Sequence, residues 1–479
     1  MPRIPCIVTL LFVCPVVKAQ QKYSPQQVAH VLGDVADALD KFHPGAYRYQ
    51  SKNDFAAYVD SVKGTIKDSA TQVEMYRKIK PLVSRVGCLH TDFSMTEKYK
   101  QELNRSPNLL PLRLYFKDDK AWITDNFSNH PLISPGDEIT TINGRSIGEI
   151  LRQVLPAIPS DGYNQTMKYL ALYRQFPLWY RHMVEVTEHF DITTISGGQP
   201  RSVRLKGMME KDLAGNGFLS EPVFARQLEL KIKDATAYLT IRSFADSYIK
   251  RSGQSFKPFM EEAFKELQNK GVKNLVIDLR DNTGGSDGNA AYLSGFFFDA
   301  PYRYWKRVTC TPAIAAKIKG VAKIWWRKPV QQDSLWLWQK GKRSGEFDYV
   351  DEQQPAAHPF AGKVYVLING FCMSSCADLS AVLYSNRKGL FIGEETGGGY
   401  QGNNSGMMPG IHLKPSKMML TVPLQKYETA VDTARFFGRG TMPDVPVELS
   451  LNDILQKRDR VMEVTDSLIA GNSNVAQRR

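Results

Sequence analysis

A serine at the end of a buried strand is the first feature with chemical content. Leu367, Ile368, Asn369, Gly370, Phe371, Cys372, Met373, Ser374, Ser375, Cys376, Ala377, Asp378 and Leu379 read as an apolar strand, a turn at Asn369–Gly370, and a helix starting near Ser374. A serine there lies at the positive end of a helix dipole, where neighbouring amides can stabilise a developing oxyanion. Taken alone, Ser374 or Ser375 also suits a plain N-cap. The second feature is Val276, Ile277, Asp278, Leu279, Arg280, Asp281, Asn282, Thr283, Gly284, Gly285 and Ser286, again a strand opening into a glycine turn and a helix. Glycines let the backbone approach a substrate carbonyl and present an amide to it. The segment lacks the GxxxxGKS/T order of a phosphate loop.

These residues must be held by a larger frame. The chain has 479 residues, enough for two or three compact units, and its composition of 42% hydrophobic and 23% charged residues is that of a folded protein. From about Pro222 onward, apolar strands (Ala237–Ile241, Asn274–Leu279, Lys363–Ile368, Leu390–Ile392, Met418–Val422) alternate with helices (Phe256–Lys270, Ala377–Ser385). Continuous apolar strands imply a sheet covered on both faces, so residues 220–470 are expected to form an α/β catalytic domain. Within it, the segment 301–360 is rich in Trp and basic residues, including Trp305, Trp336 and Trp338, and is expected to pack as a lid over a cleft.

Upstream, residues 20–105 read as a helical region. Val28, Val31, Leu32, Val35 and Leu39 recur at helical spacing behind a Ser24/Gln27 capping box, and Val73, Tyr76, Ile79, Leu82 and Val83 mark another helix. Residues 106–210 change to short strands and turns. The run Ser134, Pro135, Gly136, Asp137 and the Asn143–Gly144 turn resemble the grammar of a PDZ domain of the bacterial protease type, which captures a peptide by strand addition.

The N-terminus carries Arg3, an apolar run from Ile4 to Val17, and Val17-Lys18-Ala19 before Gln20, the pattern of a signal peptide over residues 1–19. A periplasmic or extracellular protein is expected. Val13 before Cys14 is larger than a lipidation site favours. Removing Arg3 and Lys18 takes the formal charge from +13 to +11. The cations are interspersed with acids, which points to a basic solvated surface rather than a nucleic-acid stripe. No later segment reaches the ~20 apolar residues of a membrane span. Cys88, Cys310, Cys372 and Cys376 have no repeated CxxC spacing, so neither a zinc site nor any other cofactor is expected; pairing among them is left open.

The strand-turn at 276–286, the serine turn, Gly393-Glu394-Glu395-Thr396-Gly397-Gly398 and Gly440-Thr441-Met442-Pro443-Asp444 together resemble the S41 family of tail-specific, C-terminal processing proteases. The resemblance implies a ClpP/crotonase-like core and peptide hydrolysis through an acyl-enzyme. It places the nucleophile at Ser374, one oxyanion donor at the amide of Ser375 and the other at Gly284 or Gly285. The lysine of the Ser/Lys branch falls on Gly399, so that dyad is missing and a hydroxyl needs another base. Branches similar to tricorn and the chlamydial protease use a histidine in a Gly-x-x-His-Thr stretch, which Gly87, Cys88, Leu89, His90 and Thr91 match. By the same resemblance Glu395 or Asp432 completes the site as the acid that orients His90. The expected partners are protein or peptide substrates. A catalytically weak relative that only binds peptides is the alternative.

Overall fold

The computed structural model describes residues 21–220, 222–318, 326–340 and 349–476; the expected signal peptide at 1–19 lies outside them. A six-stranded sheet occupies the C-terminal half in the order Val445–Pro446, Leu390–Gly393, Lys363–Ile368, Asn274–Asp278, Thr236–Ile241, Leu228–Lys233. All neighbours run parallel except the last pair, a hairpin. Alternation along these strands feeds two cores. Leu275, Ile277, Val366 and Ile368 face Phe264, Leu267 and Leu379, while Val276, Tyr365, Leu367 and Ile392 face Val461 and Ile469. The apolar runs are therefore explained by burial on both faces, as an α/β fold requires.

The N-terminal helices Pro25–Phe42, Lys52–Gly64 and Gln72–Ser84 form as the periodicity predicts, the first with its Ser24/Gln27 capping box. Strands Leu112–Lys117, Lys120–Asn126, Glu138–Ile142, His189–Ser196 and Gln199–Lys206 follow as an antiparallel sheet in chain order. A helix, Thr166–Met183, packs on the edge strand Leu112–Lys117. The helical region and this sheet share a single apolar core, in which Val28, Leu32, Ile79 and Leu82 join Ile123, Ile139, Ile150 and Phe176. Three short amphipathic helices bury too little surface to stand alone, so the sheet covers them.

Two strand expectations change. Met419–Thr421 does not join the α/β sheet; it pairs antiparallel with Asp92–Ser94 and with Gly410–His412. A strand of the C-terminal half is thereby zipped to the residues immediately after His90. The described part of 301–360 is also more than a lid over a cleft. Trp305–Cys310 and Leu335–Lys340 are strands of a second sheet, ordered Trp326–Gln332, Leu335–Lys340, Trp305–Cys310, Gln425–Thr429, Asn404–Ser405. Trp305 is fully buried there and donates its indole N–H to Asp378 Oδ2 at 3.2 Å. Burial of so large a ring is why this tryptophan belongs to the core.

Candidate active site

The strand Lys363–Ile368 is followed by Asn369, and the helix Ser375–Ser385 begins six residues after Asn369. Between them Ser374 has φ 53° and ψ −132°, outside the wells that a residue with a Cβ normally occupies, and its side chain makes no capping bond. A capping role is thus not what holds it. Ser374 is partly exposed, whereas Ser375 is fully buried and its Oγ has no hydrogen-bond partner among the described residues. Strain at a partly exposed serine over a helix N-terminus suits a nucleophile and is unfavourable for a plain turn.

The glycine turn at 284–285 sits against this serine. Asn282 organises it: Nδ2 donates to Ile241 O at 2.9 Å, Oδ1 accepts from Gly284 N at 2.9 Å, and its carbonyl accepts from Met373 N at 3.2 Å. A Cβ on Gly285 would lie 2.1 Å from Ala245 N, and at φ 139° only glycine fits. The two glycines differ in what their amides offer. That of Gly284 is spent on Asn282, while that of Gly285 has no partner among the described residues.

The third side of the site is the loop 396–399. Gly398 N donates to Cys372 O at 3.0 Å, and a Cβ on Gly398 would lie 3.1 Å from Ser374 N. At Gly399 a Cβ would meet Gly402 O at 2.8 Å. The backbone therefore leaves no room at 399 for the lysine of the Ser/Lys arrangement.

His90 lies in the turn between Ser84 and Asp92. Thr91 N closes the turn on Cys88 O at 3.2 Å. Buried His43 bonds Thr91 Oγ1 through Nε2 at 2.8 Å; its Nδ1 accepts from Gly45 N at 3.0 Å, which fixes its tautomer with the proton on Nε2. Burial lowers the His90 imidazole to about 4, against a smaller upward pull from the Asn404 backbone. His90 is therefore neutral, the form a base needs. Its Nδ1 is buried with no partner, and no hydrogen bond joins it to Ser374 among the described residues. Such bonds are often long in unliganded enzymes and tighten when substrate is bound.

The two acids expected to complete the site are held by other partners. Glu395 is buried, with Oε1 accepting from Arg439 Nε at 2.9 Å and Gly440 N at 2.8 Å, and Oε2 from Arg439 Nη2 at 2.6 Å. Both oxygens are spent holding the 439–440 segment. Asp432 is exposed, pairs with Arg435 at 3.4 Å and accepts from Ala434 N at 3.0 Å, as a surface turn does. Neither bonds His90. Among the described residues, Cys88, Cys310, Cys372 and Cys376 are buried free thiols; Cys372 Sγ donates to Leu279 O at 3.0 Å.

Sequence reading missed Asp161 and Asn164. Asp161 is buried and accepts from Leu89 N through Oδ1 and from Gly399 N through Oδ2, both at 3.0 Å. Asn164 Nδ2 donates to Thr396 O at 3.0 Å. In the sequence Asp161-Gly162 signals only a turn.

Residues 235–447 match peptidase family S41. This domain is an S41 peptidase domain. The S41 segment holds Ser374, Gly284, Gly285 and Glu395; His90 and Asp161 come from outside it. The chain is also similar to probable CtpA-like serine proteases of Staphylococcus aureus, for example those of strains COL and MW2, at 24% identity over 188 residues. That stretch is 38% of this chain, and it spans 29% of the relatives' own length. Among solved structures, mature CPAF complexed with lactacystin superposes with a TM-score of 0.63 at 12% identity, covering 93% of this chain and 97% of that one. Mature CPAF alone gives a TM-score of 0.59 at 13% identity, over 90% and 94% of the two chains. At such identities the likeness is one of fold: the mixed α/β architecture outside the S41 segment is shared as well as the segment itself.

Proposed function

We propose that the protein is an exported serine endopeptidase that cleaves extended or C-terminal peptide segments, with Ser374 as nucleophile and His90 as base. The single observation behind this reading is the strained, partly exposed Ser374 set between a helix N-terminus and a glycine turn. Ser374 Oγ attacks the scissile carbonyl, His90 takes its proton and returns it to the leaving amine, and water then hydrolyses the acyl-enzyme. The oxyanion falls to the amide of Ser375 at the helix start and, of the two glycines, to Gly285, whose amide is unspent. His90 has the neutral form for this work, and the crowded backbone at Gly399 is consistent with a base drawn from another part of the chain.

Peptide capture is assigned to the antiparallel sheet, read as PDZ-like. A cleft of ≈ 820 Å³ is lined by Tyr115 of the edge strand Leu112–Lys117, Tyr169 and Leu170 of the helix Thr166–Met183, Glu394, and the segment around Leu449 and Ile454. Glu394 leads directly into the loop that packs on Ser374, so a peptide end held in the cleft lies beside that loop. Export rests on the signal-peptide pattern; no helix among the described residues is long and apolar enough to cross a membrane.

The second reading, a peptide-binding module with little or no catalysis, is favoured by one observation: His90 Nδ1 has no hydrogen-bond partner among the described residues. Cleavage of casein or of a quenched fluorescent peptide by the purified protein and by Ser374→Ala separates the two. Serine-dependent cleavage supports the peptidase; binding without cleavage supports the module.

A further inference from the structure

We infer that Asp161 is the positioning residue that ties the His90 turn to the 396–399 loop packed on Ser374. The inference rests on the Ser374–His90 reading above.

The contacts are specific. Each carboxylate oxygen of Asp161 accepts one backbone amide, Leu89 N on the histidine turn and Gly399 N on the serine loop. The same short segment makes three more bridges: Gly162 N donates to Gly87 O at 3.0 Å, Tyr163 N to Gly438 O at 2.7 Å, and Asn164 Nδ2 to Thr396 O at 3.0 Å. Gly162 has φ 56°, and a Cβ on it would lie 2.3 Å from Gly438 O, so the close approach needs glycine. Residues 161–164 thus stitch together the 87–90, 396–399 and 438 segments, which are remote in sequence. The neutral His90 hangs on this stitch, since the amide before it is the one Asp161 holds.

Charge state decides whether the clamp can form. An ionised carboxylate accepts two amides at once; a protonated one carries a hydrogen on one oxygen, which opposes an N–H and releases one loop. Burial pushes the Asp161 carboxyl up to about 6, in spite of the two amides and of Arg48. The other titratable groups that sense it are Tyr49, the Cys88 thiol and Asp378. His90 itself stays unprotonated down to about 4. The clamp therefore opens at a higher pH than the base is lost, and the acid limb of activity belongs to Asp161.

The test is the pH profile of kcat and KM for the wild type and Asp161→Asn, joined with hydrogen exchange over 85–92 and 397–402. An asparagine offers one acceptor, so one loop is released at every pH. The expected result is a wild-type acid limb in kcat near 6. For Asp161→Asn, kcat is expected to fall at least about tenfold with KM little changed, and its limb to shift towards 4, because misplacing a catalytic group by ~1 Å is enough for such losses. Exchange, corrected for intrinsic rates, should show both segments protected at pH 7 and the clamp between them lost near pH 5 in the wild type, with at least one of the two segments released. A variant that only lowers Tm, with kcat per folded molecule and the limb unchanged, overturns the inference. So does wild-type exchange in which the two segments open independently of pH. If the wild type neither labels nor cleaves, the peptidase reading fails, and the exchange experiment still decides the clamp.

Discussion

Gly284 packs so closely on Ser374 that a Cβ added to the glycine would lie 2.7 Å from the serine Cβ and 2.8 Å from Met373 O. Its φ of 95° adds backbone strain for any other residue. The serine's unusual backbone is thus held from outside by an unsubstituted Cα.

Gly284→Ala should displace Ser374 from its position. We expect peptide hydrolysis to drop by about 100-fold or more, the loss that follows when a reacting group shifts by ~1 Å, while the fold is retained. Turnover measured with matched circular dichroism checks it; a variant with near wild-type kcat would contradict the packing argument.

The acids expected from sequence behave differently from a third catalytic member. Glu395→Gln breaks a buried carboxylate's bonds to Arg439 and Gly440 N and should destabilise the protein by about 1–3 kcal/mol, read as a lower denaturation midpoint. Asp432→Asn, on the exposed turn, should change stability by less than about 0.5 kcal/mol and leave turnover unaltered. A large loss of kcat in Asp432→Asn would restore it to the site.

Asp378, one helical turn after Ser374, is fully buried between Trp305 and Asn403, and burial raises its carboxyl from the ordinary 3.8 to about 7. With the folded value above the unfolded one, the folded state binds more protons between them, so this group lowers stability as pH rises from about 4 to 7. Asp378→Asn removes that dependence. The asparagine's oxygen can take the place of Asp378 Oδ2 and accept from Trp305, and Asn403, whose Oδ1 has no partner among the described residues, can turn its amide to accept from the new NH2. The Tm of the variant should exceed that of the wild type by a margin that widens from pH 5 to pH 8, seen by scanning calorimetry.

The α/β core was legible because its signals are local. Apolar strands such as Lys363–Ile368 and glycine turns such as Gly284–Gly285 announce themselves over a few residues, and both serine and glycine turn fall where the sequence puts them. What escaped are contacts between remote segments. Nothing around Met418 signals that its strand pairs with Asp92–Ser94, since the same apolar pattern suits either sheet. Glu395 sits beside the glycines of the 396–399 loop in sequence, yet Arg439 and Gly440 N take both its oxygens, because a buried carboxylate needs a cation and amides. Asp161 gave only a turn signal, and its importance arises from the two loops that fold onto it.

The central claim is that Ser374 is activated by His90 across the sequence. Labelling with a fluorophosphonate probe tests it most directly, using the wild type, Ser374→Ala and His90→Ala at pH 7. The account predicts labelling of the wild type, none for Ser374→Ala, and a rate lowered by about 100-fold or more for His90→Ala, the usual effect of removing a general base. A wild-type protein that takes no label, or labelling that persists in Ser374→Ala, would contradict it.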